Sequence, residues 1–230
     1  MWWHREVDPG VWVGFTDTSA GNLALSVGDD PAAVARRRDG LETSLGLAPG
    51  SLRFMTQVHG NDVARIGAGS RGAPTADAMV SLDAPLAVLV ADCVPVVLVG
   101  RRPGATPVLA VAHAGRAGVS SRVVPRTVEA LRGAGAVSVR AWLGPSVCGS
   151  CYEVPAALRD QVCADDPAAH ATTSWGTPSL DLPAAVLSQL AGCGVHAERI
   201  AGCTLEEPRL FSHRRGTPAG RFAGVVYAGR

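Results

Sequence analysis

A mixed α/β fold, with β-sheets of mixed strand direction at its centre and helices flanking them, is what this sequence predicts. Short apolar, β-branched runs crowd the middle of the chain, and only a few segments carry a helical signature. The two kinds do not alternate as repeated βαβ units would, which favours a mixed sheet over a parallel one. With 230 residues, 47% of them hydrophobic, and neither a repeat nor a long linker, residues 1–230 are expected to form one domain.

The elements read off in order. Val11-Trp12-Val13-Gly14-Phe15 is an early strand. Asp30-Pro31 opens a helix, with the carboxylate as N-cap and the proline at the first helical position. Val34, Leu41 and Leu45 then fall on one face. Leu52–Gln57, Asp62–Ile66, Ala78–Ser81, Leu86–Ala91 and Val96–Gly100 read as successive short strands, and Pro107–His113 as another that is buried throughout. A helix is expected near Ser121–Leu131, with Pro125 in or near its first turn. Val137–Leu143 returns as a strand, Asp181 caps a helix reaching Gly192, and Phe222–Tyr227 closes the chain as a strand. The Gly- and Pro-rich segments Arg71–Thr75 and Arg101–Thr106 read as surface loops.

Composition removes several classes of function. Charged residues are 18% of the chain and the net charge is +1, which offers no field for nucleic acid or anionic lipid. All 21 basic residues are arginine, so lysine Schiff bases and a P-loop lysine are excluded and arginine alone can hold an anion. The longest apolar stretch, Ala84 to Gly100, is broken by Pro85, Asp92 and Pro95 and is no membrane span. The N-terminal residues lack the apolar core of a signal peptide. A cytoplasmic protein is therefore expected, with its six cysteines reduced and Cys163 and Cys193 in the core.

Three local patterns carry chemistry. Gln57-Val58-His59-Gly60-Asn61-Asp62 puts a histidine just past a strand end, beside a glycine that lets the chain turn closely. Ala91-Asp92-Cys93-Val94-Pro95 places a carboxylate and a thiol between two very apolar strands, where an unpaired charge is costly. In Ala112-His113-Ala114-Gly115-Arg116-Ala117-Gly118 a buried strand ends at a histidine, and small residues leave room for a ligand near a helix start that favours anions. Each has a bland alternative: a loop-bonded histidine, a core cysteine, a tight turn. Together His59, Cys93 and His113 make a borderline-soft donor set suited to zinc and compatible with copper. Three protein ligands leave a fourth position open, the catalytic pattern. Their spacing of 34 and then 20 residues excludes a zinc finger and suits a site at the ends of separate strands.

Two further patterns are ambiguous. Cys148-Gly149-Ser150-Cys151-Tyr152 matches the local signature of papain-like nucleophiles, whose partners lie about 130–150 residues downstream; 79 residues follow Cys151, so that reading is rejected. As a Cys-x-x-Cys pair it lacks the surrounding βαβ start of a thioredoxin-like motif, and a loop lining a pocket or an interface is expected. Phe211-Ser212-His213-Arg214-Arg215 and Gly220-Arg221 gather arginines able to grip phosphate or carboxylate, although a solvated basic loop would look similar.

Taken in order, these motifs resemble the YfiH family, known variously as laccase-domain, polyphenol oxidase, peptidoglycan editing factor and purine nucleoside phosphorylase proteins. The resemblance runs from Asn22-Leu23 and Val27–Pro31 through Gln57–Gly60, Ala76-Asp77-Ala78, Ala91–Pro95 and His113–Gly115. It continues through Gly144-Pro145, Cys151–Val154 and Cys203-Thr204 to Ser212–Arg215 and Gly220-Arg221. It implies a cytoplasmic α/β protein similar in fold to cysteine-hydrolase-like toxin domains. It further implies zinc (or copper) held by His59, Cys93 and His113, and phosphorolysis of purine nucleosides with adenosine deamination as a related activity. Two departures affect the pocket: Arg116-Ala117 stands where the family has Trp-Arg, and Cys148 lies apart from the usual cysteine pair.

On this reading the enzyme takes a purine nucleoside and phosphate, as a monomer or homodimer, with no nucleic acid or membrane partner. Arg116, Arg214 and Arg221 are the expected anion-binding residues, and Asp92 is expected to orient a metal ligand. For deamination the metal would activate water, but the zinc-deaminase signature is absent and the general acid/base is unassigned. Two alternatives stand: a hydrolase editing peptidoglycan precursors with Cys93 as nucleophile, and a non-catalytic binding protein braced by its metal.

Overall fold

Runs that stay apolar at both odd and even positions belong in a sheet covered on both faces, and the middle of the chain lies in one. A computed structural model of the protein describes residues 1–67, 69–216 and 220–229. Its elements begin with β1 (Trp3–Asp8), β2 (Val11–Phe15), α1 (Pro31–Ser44), β3 (Val63–Ile66), β4 (Ala78–Ser81) and β5 (Leu86–Val90). There follow β6 (Val94–Arg101), β7 (Val108–Ala114), α2 (Arg116–Ser120), α3 (Val123–Gly133) and β8 (Ser138–Leu143). Last come α4 (Ala156–Asp165), β9 (His170–Thr172), β10 (Pro178–Leu180), α5 (Leu182–Gly192), β11 (His196–Arg199) and β12 (Phe222–Ala228).

The strands form a six-stranded sheet in the order β11-β8-β6-β7-β4-β3, a four-stranded sheet in the order β1-β2-β12-β5, and the small β10-β9 pair. β3–β4 and β8–β11 are parallel and the remaining pairs antiparallel. Successive residues of a strand face opposite sides, and β6 and β7 bury both. Val96, Leu98, Ala110 and Ala112 pack with Val124, Val128 and Leu131 of α3 and Val186 and Leu190 of α5. Val97, Val99, Leu109 and Val111 pack with Val13, Phe15, Val88 and Phe222 of the four-stranded sheet. The outer face of that sheet, at Ala87, Ala223 and Val225, is covered by Leu41 of α1 and by Leu23 and Leu52. The layers thus run helix, sheet, sheet, helices, a mixed α/β architecture.

Several expectations meet the structure directly. Asp30 caps α1, its carboxylate accepting from the amides of Ala32 and Ala33 at 3.1 and 3.2 Å, and Asp181 accepts from Ala184 at the start of α5. Cys163 and Cys193 are half-buried against the helix-side core. The helix expected near Ser121–Leu131 is α3, which starts at Val123 because Arg122 takes a left-handed φ of 66° that separates it from α2; Pro125 sits in its first turn.

Leu52–Gln57 is no continuous strand. It bridges its neighbours only at Arg53 and Thr56. The Gln57 side chain takes over the ladder's role, donating to the Leu89 carbonyl at 2.7 Å and accepting from the Leu89 amide at 2.9 Å. β1, α4, β9 and β11 carry no strong sequence signal for a shared reason: they bury little; β10 buries Ser179 and Leu180 but is only three residues long. α4 buries only Val162, so it shows no apolar stripe.

Candidate active site

The site forms where strand alternation runs past the strand ends. Met79, Val97, Val99, Leu109 and Val111 all point into the space between the two sheets. Continuing the same parity places Asp77 just before β4, Cys93 just before β6 and His113 near the end of β7 on that face. β4, β7 and β6 are adjacent, with Ala78 opposite Ala112 and Pro95 opposite His113. Three polar side chains thus meet at one end of the inter-sheet core. His59 joins them from the loop before β3.

The donor atoms of His59, Cys93 and His113 all lie within 4.8 Å of one another. The two imidazole rings meet edge-on, centroids 4.7 Å apart. His113 is buried, Cys93 half-buried and His59 exposed, so the trio spans from the floor of a cleft to its mouth. Gly115 makes room for it: a Cβ there would lie 2.9 Å from Cys93 Sγ and 3.1 Å from His59 Cδ2. Two imidazoles and one thiol, packed around a cradle that glycine leaves open, are a donor set that would fit a metal ion.

Asp77, to which the sequence reading gave no role, organises this arrangement. It is fully buried. Its Oδ1 accepts from His113 Nδ1 at 2.8 Å and from the His59 amide at 2.9 Å, and its Oδ2 from the amides of Gly60 at 2.7 Å and Val58 at 3.1 Å. One carboxylate therefore fixes which His113 nitrogen faces Cys93 and folds the loop that presents His59. Such carboxylate–histidine pairs orient metal ligands and raise their basicity. The loop is strained: the left-handed residue of the turn is His59 itself, φ 61°, and not the neighbouring glycine. The signal for Asp77 was present as a lone carboxylate entering an apolar strand.

The electrostatics follow from that packing. Burial pushes the Cys93 thiol up, but His113 and then His59 outweigh it through hydrogen bonds and charge and bring its pKa down to about 6. Burial pulls His113 down, yet the Asp77 carboxylate and the Cys93 sulfur raise it to about 9. Burial also works against the Asp77 carboxylate, but His113 and the loop amides hold it below the usual value. Both shifts act in the same direction, favouring the thiolate of Cys93 beside the imidazolium of His113.

Asp92 does other work. Its backbone is left-handed, φ 81°. Its side chain accepts from Thr204 Oγ1 at 2.6 Å and from the Arg214 amide at 2.8 Å, and its carbonyl accepts from the Val147 amide. It ties three loops to the strand bearing Cys93, and the carboxylate bonded to an imidazole is Asp77's.

The cleft has a volume of about 610 Å³, within the usual range for small-molecule sites. His59, Cys93, His113, Arg116, Arg214 and Arg221 all line it, so the three arginines named from sequence converge with the three metal-ligand candidates. Tyr152 and Phe54 line it too, each with an arginine of the cleft lining over its ring: Arg214 lies 4.3 Å from the Tyr152 ring and Arg38 lies 3.8 Å from that of Phe54. Arg214 also donates to the Glu153 carbonyl at 2.6 Å. Cys148 and Cys151 lie in the loop after β8, which delivers Tyr152 to the cleft wall. Among the described residues no helix is long and apolar enough to cross a membrane.

Known proteins agree with this architecture. The chain is 45% identical over 239 residues to a Streptomyces coelicolor protein named purine nucleoside phosphorylase, covering 97% of this chain and 98% of that one. The crystal structure of YlmD from Geobacillus stearothermophilus superposes with a TM-score of 0.84 at 29% identity, over 96% of this chain and 93% of that one. That of YfiH from Bacillus licheniformis shares the fold, with a TM-score of 0.83 at 23% identity over 99% of each chain. The family model described as multi-copper polyphenol oxidoreductase laccase matches residues 11–229. Its coverage, with the YfiH-type fold and the relatives just described, places this chain in the laccase-like YfiH family.

Proposed function

We propose that this chain is a metal-dependent purine nucleoside phosphorylase, converting a purine nucleoside and phosphate into free base and ribose 1-phosphate. One observation carries the reading: His59, Cys93 and His113 converge in a cleft whose lining also includes Arg116, Arg214 and Arg221. The name of the Streptomyces relative supports it. Phosphorolysis brings a dianion to the ribose C1′, where a phosphate oxygen forms the new bond as the bond from C1′ to the base breaks. With no lysine in the chain, arginines must gather that charge, and their planar donors suit it. The flat rings of Tyr152 and Phe54 give a purine two surfaces to stack on. Asp77 keeps His113 and the His59 loop in register, so the ligand set is organised before substrate arrives. Zinc held by His59, Cys93 and His113 would supply Lewis acidity at the cleft floor. The donor set also suits copper.

Incubation with inosine or adenosine, with and without phosphate, tests this reading. Free base released only in the presence of phosphate is the expected result; release without phosphate, or none at all, refutes it. Formation of inosine from adenosine in the same assay reports the related deaminase activity.

The Cys93–His113 pair favours a second reading, a hydrolase acting on peptidoglycan precursors with the Cys93 thiolate as nucleophile. Activity on such precursors that survives chelator and is lost in Cys93→Ser would establish it.

A further inference from the structure

A second cluster of metal-binding side chains lies outside the cleft. The segment after β8 runs beside the segment after β11: Ser146 and Cys203 form a parallel bridge, the Ser146 amide donates to the Gly202 carbonyl, and the Thr204 amide donates to the Ser146 carbonyl. Each segment then makes the same tight turn. The amides of Cys151 and Tyr152 both donate to the Cys148 carbonyl, at 3.0 Å each. Those of Glu206 and Glu207 both donate to the Cys203 carbonyl, at 3.2 and 2.9 Å. A Cys-x-x-Cys knuckle thereby faces a Cys-x-x-Glu knuckle.

From this juxtaposition we propose a second, structural zinc site whose ligands are Cys148, Cys151, Cys203 and Glu206. The three sulfurs and a carboxylate oxygen lie within 4.8 Å of one another, and the cysteines are all free thiols. Zinc–sulfur bonds of about 2.3 Å in a tetrahedron put sulfurs about 3.8 Å apart, a spacing the cluster accommodates. Paired ligands with two residues between them, contributed by two turns, are the arrangement of structural zinc sites, whereas the cleft's ligands are dispersed. Four protein donors close the coordination sphere and leave no position for substrate. Without an ion the cluster is joined by thiol hydrogen bonds, Cys151 Sγ donating to Glu206 Oε1 at 3.4 Å, and thiols are weak donors and acceptors.

The position of the cluster explains what an ion there would do. Tyr152, next to Cys151, lines the cleft. Thr204, next to Cys203, holds the Asp92 carboxylate, and Val147, next to Cys148, holds the Asp92 carbonyl. Zinc would clamp together the two segments that brace one cleft wall and the approach to Cys93, while sharing no ligand with the cleft site. Its free energy of binding would appear as stability of that wall.

Metal content per chain tests the proposal, measured by mass spectrometry on protein produced with zinc in the medium. In Cys93→Ser, which disables the cleft site, about one zinc per chain should remain; in Cys93→Ser/Cys151→Ser it should be lost. Cobalt loaded into Cys93→Ser should give the intense visible bands and near-ultraviolet thiolate charge transfer of a tetrahedral sulfur-rich site. Should the double variant fail to fold, Glu206→Gln in the Cys93→Ser background changes only an exposed carboxylate, and zinc should bind it roughly tenfold or more weakly. A metal-free Cys93→Ser protein overturns the site. So does zinc binding indifferent to both Cys151→Ser and Glu206→Gln, or a non-reduced mass two hydrogens short through a disulfide among the three cysteines.

Discussion

Replacing Asp77 by asparagine isolates the residue on which the candidate active site turns. The carboxylate accepts four hydrogen bonds, from the His113 ring and from the amides of Val58, His59 and Gly60. An asparagine has one oxygen able to accept, and its NH2 group confronts the donors on the other side. At best two of the four bonds survive. Each buried donor left without a partner costs about 1–3 kcal/mol, so the variant should lose about 2–6 kcal/mol. For a chain of this size that lowers Tm by roughly 4–24 °C. The effect on metal is separate. Loss of the carboxylate behind a histidine ligand costs about 10–100-fold in affinity, and His113, no longer held charged by Asp77, should titrate below about 9 in the metal-free protein. Zinc competition against a chromogenic chelator, below the variant's melting temperature, measures the first; NMR titration of the ring protons measures the second. A folded Asp77→Asn protein with unchanged zinc affinity and unchanged His113 titration would refute the role assigned to Asp77.

Further outcomes follow from the same geometry. Gly115 has an ordinary φ of −76°, so Gly115→Ala tests space alone: a methyl group 2.9 Å from Cys93 Sγ should cost about 1–3 kcal/mol. That is roughly 5- to 150-fold in zinc affinity, read by the same chelator competition. Arg116→Gln should raise the KM for phosphate roughly tenfold or more, the worth of a hydrogen bond to a charged group, and leave the nucleoside KM nearly unchanged in steady-state assays. In metal-stripped protein, alkylation of Cys93 by iodoacetamide should rise through a midpoint near pH 6 instead of the ordinary 9.0, followed by peptide mass spectrometry. Stability should respond differently. The Cys93 contribution is complete above 9.0 and lost as pH falls through about 6, while that of His113 is complete below 6.5 and lost as pH rises through about 9. Between 6.5 and about 9 the two slopes cancel, so the melting temperature of the stripped protein should stay level there, above the pH range in which reactivity makes most of its rise.

Local pattern made much of this protein legible. The short, continuously apolar runs Ala78–Ser81 and Val108–Ala114 mark strands because a sheet covered on both faces buries odd and even positions alike. Asp30 and Asp181 mark helix starts because a short carboxylate reaches the free amides of a first turn. The same logic singled out His59, Cys93 and His113, polar residues at the ends of segments with no other reason to hold them. Where it failed, a side chain or an edge had replaced the expected signal: the Gln57 amide stands in for strand backbone, and α4 buries too little to show a stripe.

What the sequence by itself determined is the identity of the chemistry: arginine as the sole cationic side chain, and a set of imidazole and thiol donors. What only the tertiary structure decided is which of those groups meet. Asp77 becomes the partner of His113 because β4 lies beside β7 in this register, and a shift of one residue would turn it to the helix side. Arg116, Arg214 and Arg221 share one cleft, and Cys148 faces Cys203, because two sheets stack and bring distant loops to the same end. Periodicity is a property of near neighbours along the chain; convergence depends on sheet order and register, which contacts between residues far apart in sequence establish.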